Sequence, residues 1–280
     1  MGQAEKQEQV RFWQVPELKN LELLWARFFT HVFPPHSHEE FTMCIVRRGV
    51  LTVDYHHENH TVPAGEIIII NPAELHTGAP KDEHGLQYRV FYPKAEEMKR
   101  IATNLAGKPQ DVPFFPSEEI HDERLLGLML ALHRNLEDKH SSRLEREVLF
   151  QTAMEHLIAH HADSPPSVPD VKKENDYVRT VRDYIEDHYA DDISLQDLAS
   201  VVNLDPSYFL RVFKKTVGLP PYAYLNQVRI NRAKHMLAAK TPIVDTALQT
   251  GFVDQSHLTK RFKSIFGVTP GQYQAAFKVS

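Results

Sequence analysis

The C-terminal region of the chain repeats itself at an offset of 49 residues, and this repeat restricts the possible folds more than any other feature. Acidic, aromatic, basic and turn-forming residues recur at equivalent positions. The matched pairs are Asp205 and Asp254, Ser207 and Ser256, Phe209 and Leu258, Arg211 and Lys260, Phe213 and Phe262, Lys214 and Lys263, Gly218 and Gly267, Pro221 and Pro270, and Tyr224 and Tyr273. One structural unit therefore occurs twice.

The first copy predicts two short helices joined by a tight turn. Ser194 is a good N-cap for a helix over 195–202. After a two-residue turn, Asp205 predicts a second N-cap, with Pro206 at the first helical position. Gly218 then predicts the end of the second helix, because glycine readily adopts the left-handed conformation of a C-terminal cap.

The second copy starts at 241–242, turns at 251–252 and restarts after Asp254. In both copies the second helix is predicted to present a polar, basic face. The residues predicted on these faces are Ser207, Tyr208, Arg211, Lys214 and Lys215 in the first copy, and Gln255, Ser256, His257, Thr259 and Lys260 in the second. Two helices joined by a short turn, the second with a basic face, indicate a helix-turn-helix unit.

Residues 221–239 between the copies predict one continuous helix. At 1.5 Å per residue this helix is about 28 Å long. Successive major grooves on one face of DNA lie about 34 Å apart. The connector therefore has the right scale to hold two recognition helices in adjacent grooves.

The charge of the chain is distributed unevenly. From Asp205 to the end there are 11 Lys/Arg and 3 Asp/Glu, a net charge of +8. Because the whole chain has a net charge of −5, the residues before Asp205 have a net charge of −13. An acidic body joined to a basic end indicates nucleic-acid binding at that end.

The N-terminal part of the chain has a different pattern. Residues 22–92 predict short strands, at 41–46, 51–55, 66–70 and 88–92, in a β-sandwich or barrel. Leucines at helical spacing then predict two helices, over 122–137 and 144–160. We expect these helices to form an antiparallel pair that packs on the β domain and could supply a dimer interface.

Prolines and charged residues after this helix pair predict a linker. The expected organisation is a first domain over 1–163, a linker over 164–176 and a helical domain over 177–280. The single cysteine, Cys44, excludes an intrachain disulfide, and the aliphatic run 67–70 is too short to cross a bilayer. We expect a cytoplasmic protein that does not bind membranes.

Motifs at fixed spacing cover residues 178–277: S-x(12)-S-Y-F-x-R-x-F-K-K-x-x-G, P-x-x-Y, R-x-x-x-A, I-x-x-x-A-x-x-x-G-F-x-D-Q-S-x-L-x-x-x-F-K and G-x-T-P-x-x-Y. This segment resembles the AraC/XylS family of bacterial regulators. The resemblance implies a sequence-specific transcription regulator that inserts both recognition helices into the major groove of double-stranded DNA and activates through RNA polymerase. The DNA contacts that it implies are Ser207, Tyr208, Arg211, Lys214, Lys215, Gln255, Ser256, His257 and Lys260. Arg211 and Lys260 are the best candidates for base edges or nearby phosphates.

Residues 36–49 and 63–76 resemble the cupin-type effector domain that is common in this family, over about residues 20–95. The expected architecture is α+β: a cupin-like jelly-roll β-barrel with a helix pair, then an all-α domain of two helix-turn-helix units joined by a long helix. His36 and His38 share a face if they lie in a strand, and His76 is expected to converge with them. The candidate effector-binding residues are His36, His38, Glu40, Thr42, His76 and Tyr88.

Three interpretations of these histidines remain open. They form an effector pocket for a small polar molecule, or a degraded three-histidine metal site, or a purely structural cluster. Thr42 stands where metal-binding cupins have glutamate, so we expect no metal, no cofactor and no enzymatic activity. His56, His57 and His60 are expected on an exposed hairpin.

The favoured function is an effector-responsive activator of a transport or catabolic operon, with a possible homodimer. The alternatives are a cupin metalloenzyme fused to a DNA-binding domain, and a constitutive repressor without an effector.

Overall fold

The computed structural model describes residues 7–55, 58–117, 119–166, 175–266 and 268–275. The chain divides into two compact units. The first contains the described residues of 1–134 and 149–169, and the second those of 135–148 and 170–280.

The described part of the first unit is built on two antiparallel sheets. Its strands are β1 (Gln9–Val15), β2 (Leu21–Phe28), β3 (Phe33–His36), β4 (Thr42–Arg48), β5 (Val50–Tyr55), β6 (Glu58–Pro63), β7 (Ile67–Ile70), β8 (His76–Pro80), β9 (Leu86–Tyr92) and β10 (Glu119–Ile120). The larger sheet has the order β1-β2-β9-β4-β7-β10, and the smaller has the order β3-β8-β5-β6. The four predicted strands correspond to β4, β5, β7 and β9.

The expectation of a barrel is wrong in one respect, because the sheets are not closed into one another. In the described residues β1 and β10 are the edges of the larger sheet, and β3 and β6 are the edges of the smaller one. The inward faces of the two sheets share one hydrophobic core, to which the smaller sheet contributes Leu51, Val53 and Tyr55 at every second position. The arrangement is a two-sheet sandwich.

The described helices agree with the predicted pattern, and one further helix, the first, was not predicted. They are α1 (Ala95–Ala106), α2 (Glu123–Glu137), α3 (Arg143–His161), α4 (Asn175–His188), α5 (Leu195–Val201), α6 (Pro206–Val217), α7 (Pro221–Ala238), α8 (Ile243–Gln249), α9 (Gln255–Phe266) and α10 (Pro270–Ala275). The sequence interpretation includes neither α1 nor β1. α2 and α3 form at the two positions where a helix pair is predicted.

In its described residues, the second unit has two hydrophobic clusters, one for each helix-turn-helix. The first cluster unites α4, α5, α6 and the start of α7, and it also contains Leu144 and Val148 of α3. The second unites the rest of α7 with α8 and α9 around Phe252 and Phe262. The structure thus groups 135–148 with the C-terminal helices, whereas the sequence places these residues in the first domain. Most of the predicted linker, 167–174, lies outside the described residues.

Two glycines with positive φ give a matched test of backbone constraint in the first unit. A Cβ on Gly49 (φ 75°) would lie 2.0 Å from the carbonyl oxygen of Gly85, whereas a Cβ on Gly65 (φ 98°) meets nothing within 4 Å. We expect Gly65→Ala to lower the free energy of unfolding by about 1–2 kcal/mol through backbone strain alone. Gly49→Ala should cost about 1–3 kcal/mol more, because the neighbouring backbone must move. Urea denaturation of both variants checks this, and equal losses would contradict it.

Candidate DNA interface and ligand pocket

Side-chain caps fix the start of both helices of the first helix-turn-helix. Ser194 Oγ accepts a hydrogen bond from the Asp197 backbone N–H at 3.0 Å, and Asp197 Oδ2 accepts one from the Ser194 N–H at 2.9 Å. Asp205 Oδ1 accepts from the N–H groups of Ser207 and Tyr208 at 2.8 and 3.3 Å. These caps confirm the predicted helix starts.

The outer face of α6 is basic, as predicted, with one exception. Lys214 and Lys215 are exposed, and the half-buried Arg211 guanidinium carbon lies 5.9 Å from the ring centroid of Tyr208. The prediction that Ser207 is exposed is wrong, because this residue is completely buried. Ser207 precedes the buried Leu210 by three positions, so both side chains lie on the same, inward face of the helix.

The outer face of α9 lines an open groove. The groove is lined by Gln255, Ser256, Thr259, Lys260, Lys263 and Ser264. The first two and Lys260 were predicted as DNA contacts, whereas Lys263 and Ser264 were not. The repeat already contained the signal for Lys263, since it is the equivalent of Lys214.

His257 is not on the exposed face of α9, so that prediction is wrong. Only 5% of the residue is exposed, and its ring packs edge-on against Phe252 with the centroids 5.0 Å apart. Burial lowers the pKa of His257 to about 4, so the ring is neutral at pH 7. The residue belongs to the hydrophobic core of the second helix-turn-helix.

A buried arginine on the connector α7 joins the two helix-turn-helix units. Arg229 Nε donates to the carbonyl oxygen of Tyr189 at 2.6 Å, and its Nη2 donates to the carbonyl of Asp191 at 2.8 Å. Burial lowers the pKa of Arg229 to about 10, which leaves the guanidinium charged at pH 7. Gly251 (φ 76°), in the turn of the second helix-turn-helix, packs against Arg229 and the loop that it bonds. A Cβ on Gly251 would lie 2.9 Å from Ala190 O and 3.0 Å from Arg229 Cζ.

A small cavity of about 70 Å³ lies between the two sheets of the first unit. Of the six predicted effector-binding residues, the cavity is lined by His36, His38, Thr42, His76 and Tyr88. Glu40 is not among the lining residues. The sequence interpretation did not name several apolar or aromatic neighbours that complete the wall, among them Leu24, Phe33, Cys44 and Tyr92.

The three cavity histidines converge. The ring centroids of His36 and His76 are 4.3 Å apart. The ring centroid of His38 lies 4.9 Å from that of His36 and 5.3 Å from that of His76. One ligand nitrogen of each ring lies within 4.8 Å of the other two. His36 Nδ1 donates to the carbonyl of Pro34 at 2.7 Å, and His76 Nδ1 donates to that of Glu74 at 3.0 Å. In the neutral form of either ring, these bonds place the proton on Nδ1 and leave Nε2 as the acceptor.

Burial disfavours the charged forms of three residues that line the cavity. Burial lowers the pKa of His38, and lowers that of His76 to about 4. Burial also raises the pKa of the Tyr88 phenol, which keeps it protonated. The Thr42 hydroxyl is buried and has no hydrogen-bond partner among the described residues. Imidazoles in their neutral form can ligate a divalent transition metal, or they can hydrogen-bond a small polar molecule.

The prediction for the hairpin histidines is wrong for His60. Its side chain is only 12% exposed, and Nδ1 lies 3.2 Å from Glu119 Oε1 of β10. The short strand β10 covers this position by pairing with β7. His56 and His57 lie outside the described residues.

Comparison with known proteins assigns one family to each half of the chain. The AraC-like ligand binding domain matches residues 19–154, and the helix-turn-helix domain matches residues 198–276. The chain belongs to the AraC family of transcription regulators. Like other members, it is a DNA-binding regulator that carries an effector-binding domain.

Two relatives in sequence agree with this assignment over most of the chain. The chain is 28% identical over 252 residues to the HTH-type transcriptional regulator YbfI of Bacillus subtilis (strain 168), covering 90% of each protein. It is 24% identical over 246 residues to the HTH-type transcriptional activator RhaS of Escherichia coli O81 (strain ED1a), covering 85% of this chain and 86% of that protein. Among solved structures, the C-terminal domain of AraT, a response regulator from Geobacillus stearothermophilus, is 29% identical, with a TM-score of 0.36 over 39% of this chain and 91% of that one. Within the described residues, no helix combines the length and apolar character needed to span a membrane.

The buried position of His257 predicts a specific pH dependence of stability in this AraC-family chain. The folded pKa of about 4 lies below the ordinary value of 6.5, so the unfolded chain binds more protons between these two values. Stability from the neutral ring is complete above pH 6.5 and is lost as the pH falls towards 4. We expect the free energy of unfolding of His257→Phe to decrease less over this interval than that of the wild type. His235→Phe, at an exposed position on α7, should keep the wild-type slope. Identical slopes for all three proteins would contradict the assignment.

Proposed function

We propose that this protein is an effector-responsive transcription activator whose helices α6 and α9 enter successive major grooves of double-stranded DNA. One observation carries the proposal. Two helices with basic outer faces project from a single connector, and the Arg229 joint fixes that connector to both helix-turn-helix units. A generic helical bundle needs neither the repeated basic face nor a spacer of this length.

The proposed DNA contacts are those predicted side chains that are exposed or half-buried on the two helices, with Lys263 added; Nε and Nη1 of Arg211 are buried. They are Tyr208, Arg211, Lys214 and Lys215 on α6, and Gln255, Ser256, Lys260 and Lys263 on α9. α7 has 18 residues, which span about 27 Å, a distance compatible with a groove spacing of about 34 Å once the thickness of the flanking helices is added. Arg211 and Lys260 are proposed to read base edges, because long cationic side chains reach the guanine acceptors.

The cavity between the sheets is the proposed effector site. Its volume of about 70 Å³ is far smaller than that of a typical ligand pocket, which is roughly 300–1,000 Å³. The bound molecule is therefore small and polar, with acceptors and donors that match the imidazoles and the Thr42 hydroxyl. An effector as large as an amino acid, a sugar or an aromatic acid requires the lining side chains to move apart.

A metal ion is the second candidate occupant of this cavity. The two Nδ1–carbonyl bonds favour it, because they orient Nε2 of His36 and His76 as ligands. The donor set lacks a carboxylate, since Thr42 lines the cavity and Glu40 does not. Hydrogen bonding to a small polar effector remains the primary proposal.

Family membership supports the remaining features of the proposal. Activation is proposed to proceed through RNA polymerase at the promoter of a transport or catabolic operon in the cytoplasm. The helices α2 and α3 are the proposed dimerisation elements, if the protein acts as a homodimer. Effector binding would shift a pre-existing equilibrium between states of different DNA affinity.

Sequencing of genomic DNA fragments that the purified protein retains, with and without metabolite extract, tests this function. A second pair of samples contains EDTA. A sharp site near a transport or catabolic operon whose recovery depends on the extract is the expected result. Loss of that dependence in EDTA would favour the metal as co-ligand. A sharp site whose recovery is the same with and without the extract would support a constitutive regulator. Diffuse recovery in every sample would refute sequence-specific binding.

The two proposed base-reading residues give the quantitative prediction. Arg211→Ala and Lys260→Ala should each weaken binding to the enriched duplex by about 1–3 kcal/mol, with a smaller effect on a random duplex. Lys240→Ala removes the same charge from an exposed residue between α7 and α8. This control should change the affinities for both duplexes slightly and equally. Fluorescence anisotropy at fixed salt measures all three. Wild-type affinity in both of the first two variants would overturn the proposed readout.

A further inference from the structure

The segment Asn135–Val148, here called the bracing hairpin, belongs to the same compact unit as the DNA-binding helices. It consists of the end of α2, the turn after it and the first residues of α3. α3 continues beyond Val148 with residues of the first unit. The hairpin is therefore covalently continuous with the effector domain although it packs on the DNA-binding helices.

The bracing hairpin is attached to the first helix-turn-helix by its apolar residues and by a cap. Leu144 and Val148 are buried in the cluster formed by α4, α5, α6 and α7. Glu147 Oε2 accepts a hydrogen bond from the backbone N–H of Leu195 at 2.6 Å. A carboxylate at this position also interacts favourably with the positive end of the α5 dipole.

The same hairpin is attached to the second recognition helix by a half-buried ion pair. Arg261 Nη2 donates to both carboxylate oxygens of Glu145, at 3.0 and 2.8 Å. The Glu145 side chain is only 10% exposed. Removal of either partner would leave a poorly solvated charge, so this pair holds the hairpin on α9.

The turn of the hairpin reaches the side of α9 that is proposed to meet DNA. Lys260 Nζ lies 3.4 Å from Asp138 Oδ2. The backbone N–H of His140, and then Lys260, hold the pKa of Asp138 below its usual value, so the carboxylate is ionised at neutral pH. The turn also places His140 Nδ1 3.4 Å from Oδ2 of Asp254, the residue that caps α9.

We infer that the bracing hairpin is an autoinhibitory element in which the Asp138 carboxylate competes with DNA for Lys260. This inference rests on the proposed function, because it assigns a regulator to the same DNA-binding face. A carboxylate on this lysine takes the place of a phosphate oxygen or a guanine acceptor. DNA that approaches α9 must displace it, and the displaced negative charge then lies beside the phosphate backbone. Lys260 is exposed and Asp138 is half-buried, so water still screens the pair and its effect on affinity is graded and not all-or-none.

Asp138→Asn tests the inference with little structural change, because the amide oxygen can still accept the hydrogen bond from the His140 N–H. We expect this variant of the full chain to bind the enriched duplex about two- to fivefold more tightly than the wild type. The slope of log K against log salt should steepen by about 0.9, the value for one additional phosphate contact. Asp187→Asn, the same charge change at an exposed position on α4, should alter neither quantity appreciably.

A double-mutant cycle separates competition at Lys260 from a general loss of negative charge. In a Lys260→Ala background, Asp138→Asn should no longer increase affinity. Equal gains with Asp138→Asn and Asp187→Asn, or a full gain in the Lys260→Ala background, would overturn the inference, as would weaker binding by Asp138→Asn. If no genomic duplex is enriched, the proposed function fails, and a random-sequence duplex of equal length still decides the competition through the same comparisons.

Discussion

The DNA-binding half of this protein depends on one buried guanidinium. Arg229 is 4% exposed, and it bonds two carbonyl oxygens of the loop that follows α4. A buried charge is costly unless it is hydrogen-bonded, so the loop and the connector α7 are fixed together. Gly251 brings the turn of the second helix-turn-helix to the same point, where a side chain would not fit. The relative placement of α6 and α9, on which the proposed reading of two grooves depends, follows from this joint.

The repeat made this half predictable. Helix starts are encoded by local sequence, such as Asp205 as N-cap followed by Pro206 at the first helical position. The structure forms this cap as predicted, and α6 begins at Pro206. Exposure was harder to predict for polar residues at the margin of a helix face. Ser207 and His257 are polar by type but lie on the inward side, because neighbouring apolar residues set the boundary of that side. The role of Arg229 could not be inferred from sequence, since its carbonyl partners lie about 40 positions away along the chain.

The first unit was predictable in class but less so in detail. Alternating burial identified its central strands, whereas β1 is exposed over most of its length and gives no such pattern. The histidine cluster was predicted correctly for a partly incorrect reason. β3 ends at His36, so His38 is not in the strand; its carbonyl instead accepts a hydrogen bond from the N–H of Ala73, in the loop that leads to His76. The grouping of 135–148 with the DNA-binding unit depends on long-range pairs such as Glu145 with Arg261, which no local pattern indicates.

The central claim is that α6 and α9 lie in successive major grooves on one face of the DNA. Guanine-N7 methylation protection of the enriched duplex by the full chain tests this claim most directly, because the reagent attacks an atom in the major groove. The account predicts two protected clusters, with centres about 10 base pairs apart. Gly251→Ala, which disrupts the joint, should weaken one of them more than the other. A single protected cluster in the wild type, or two clusters at a separation that places them on opposite faces, would contradict the account.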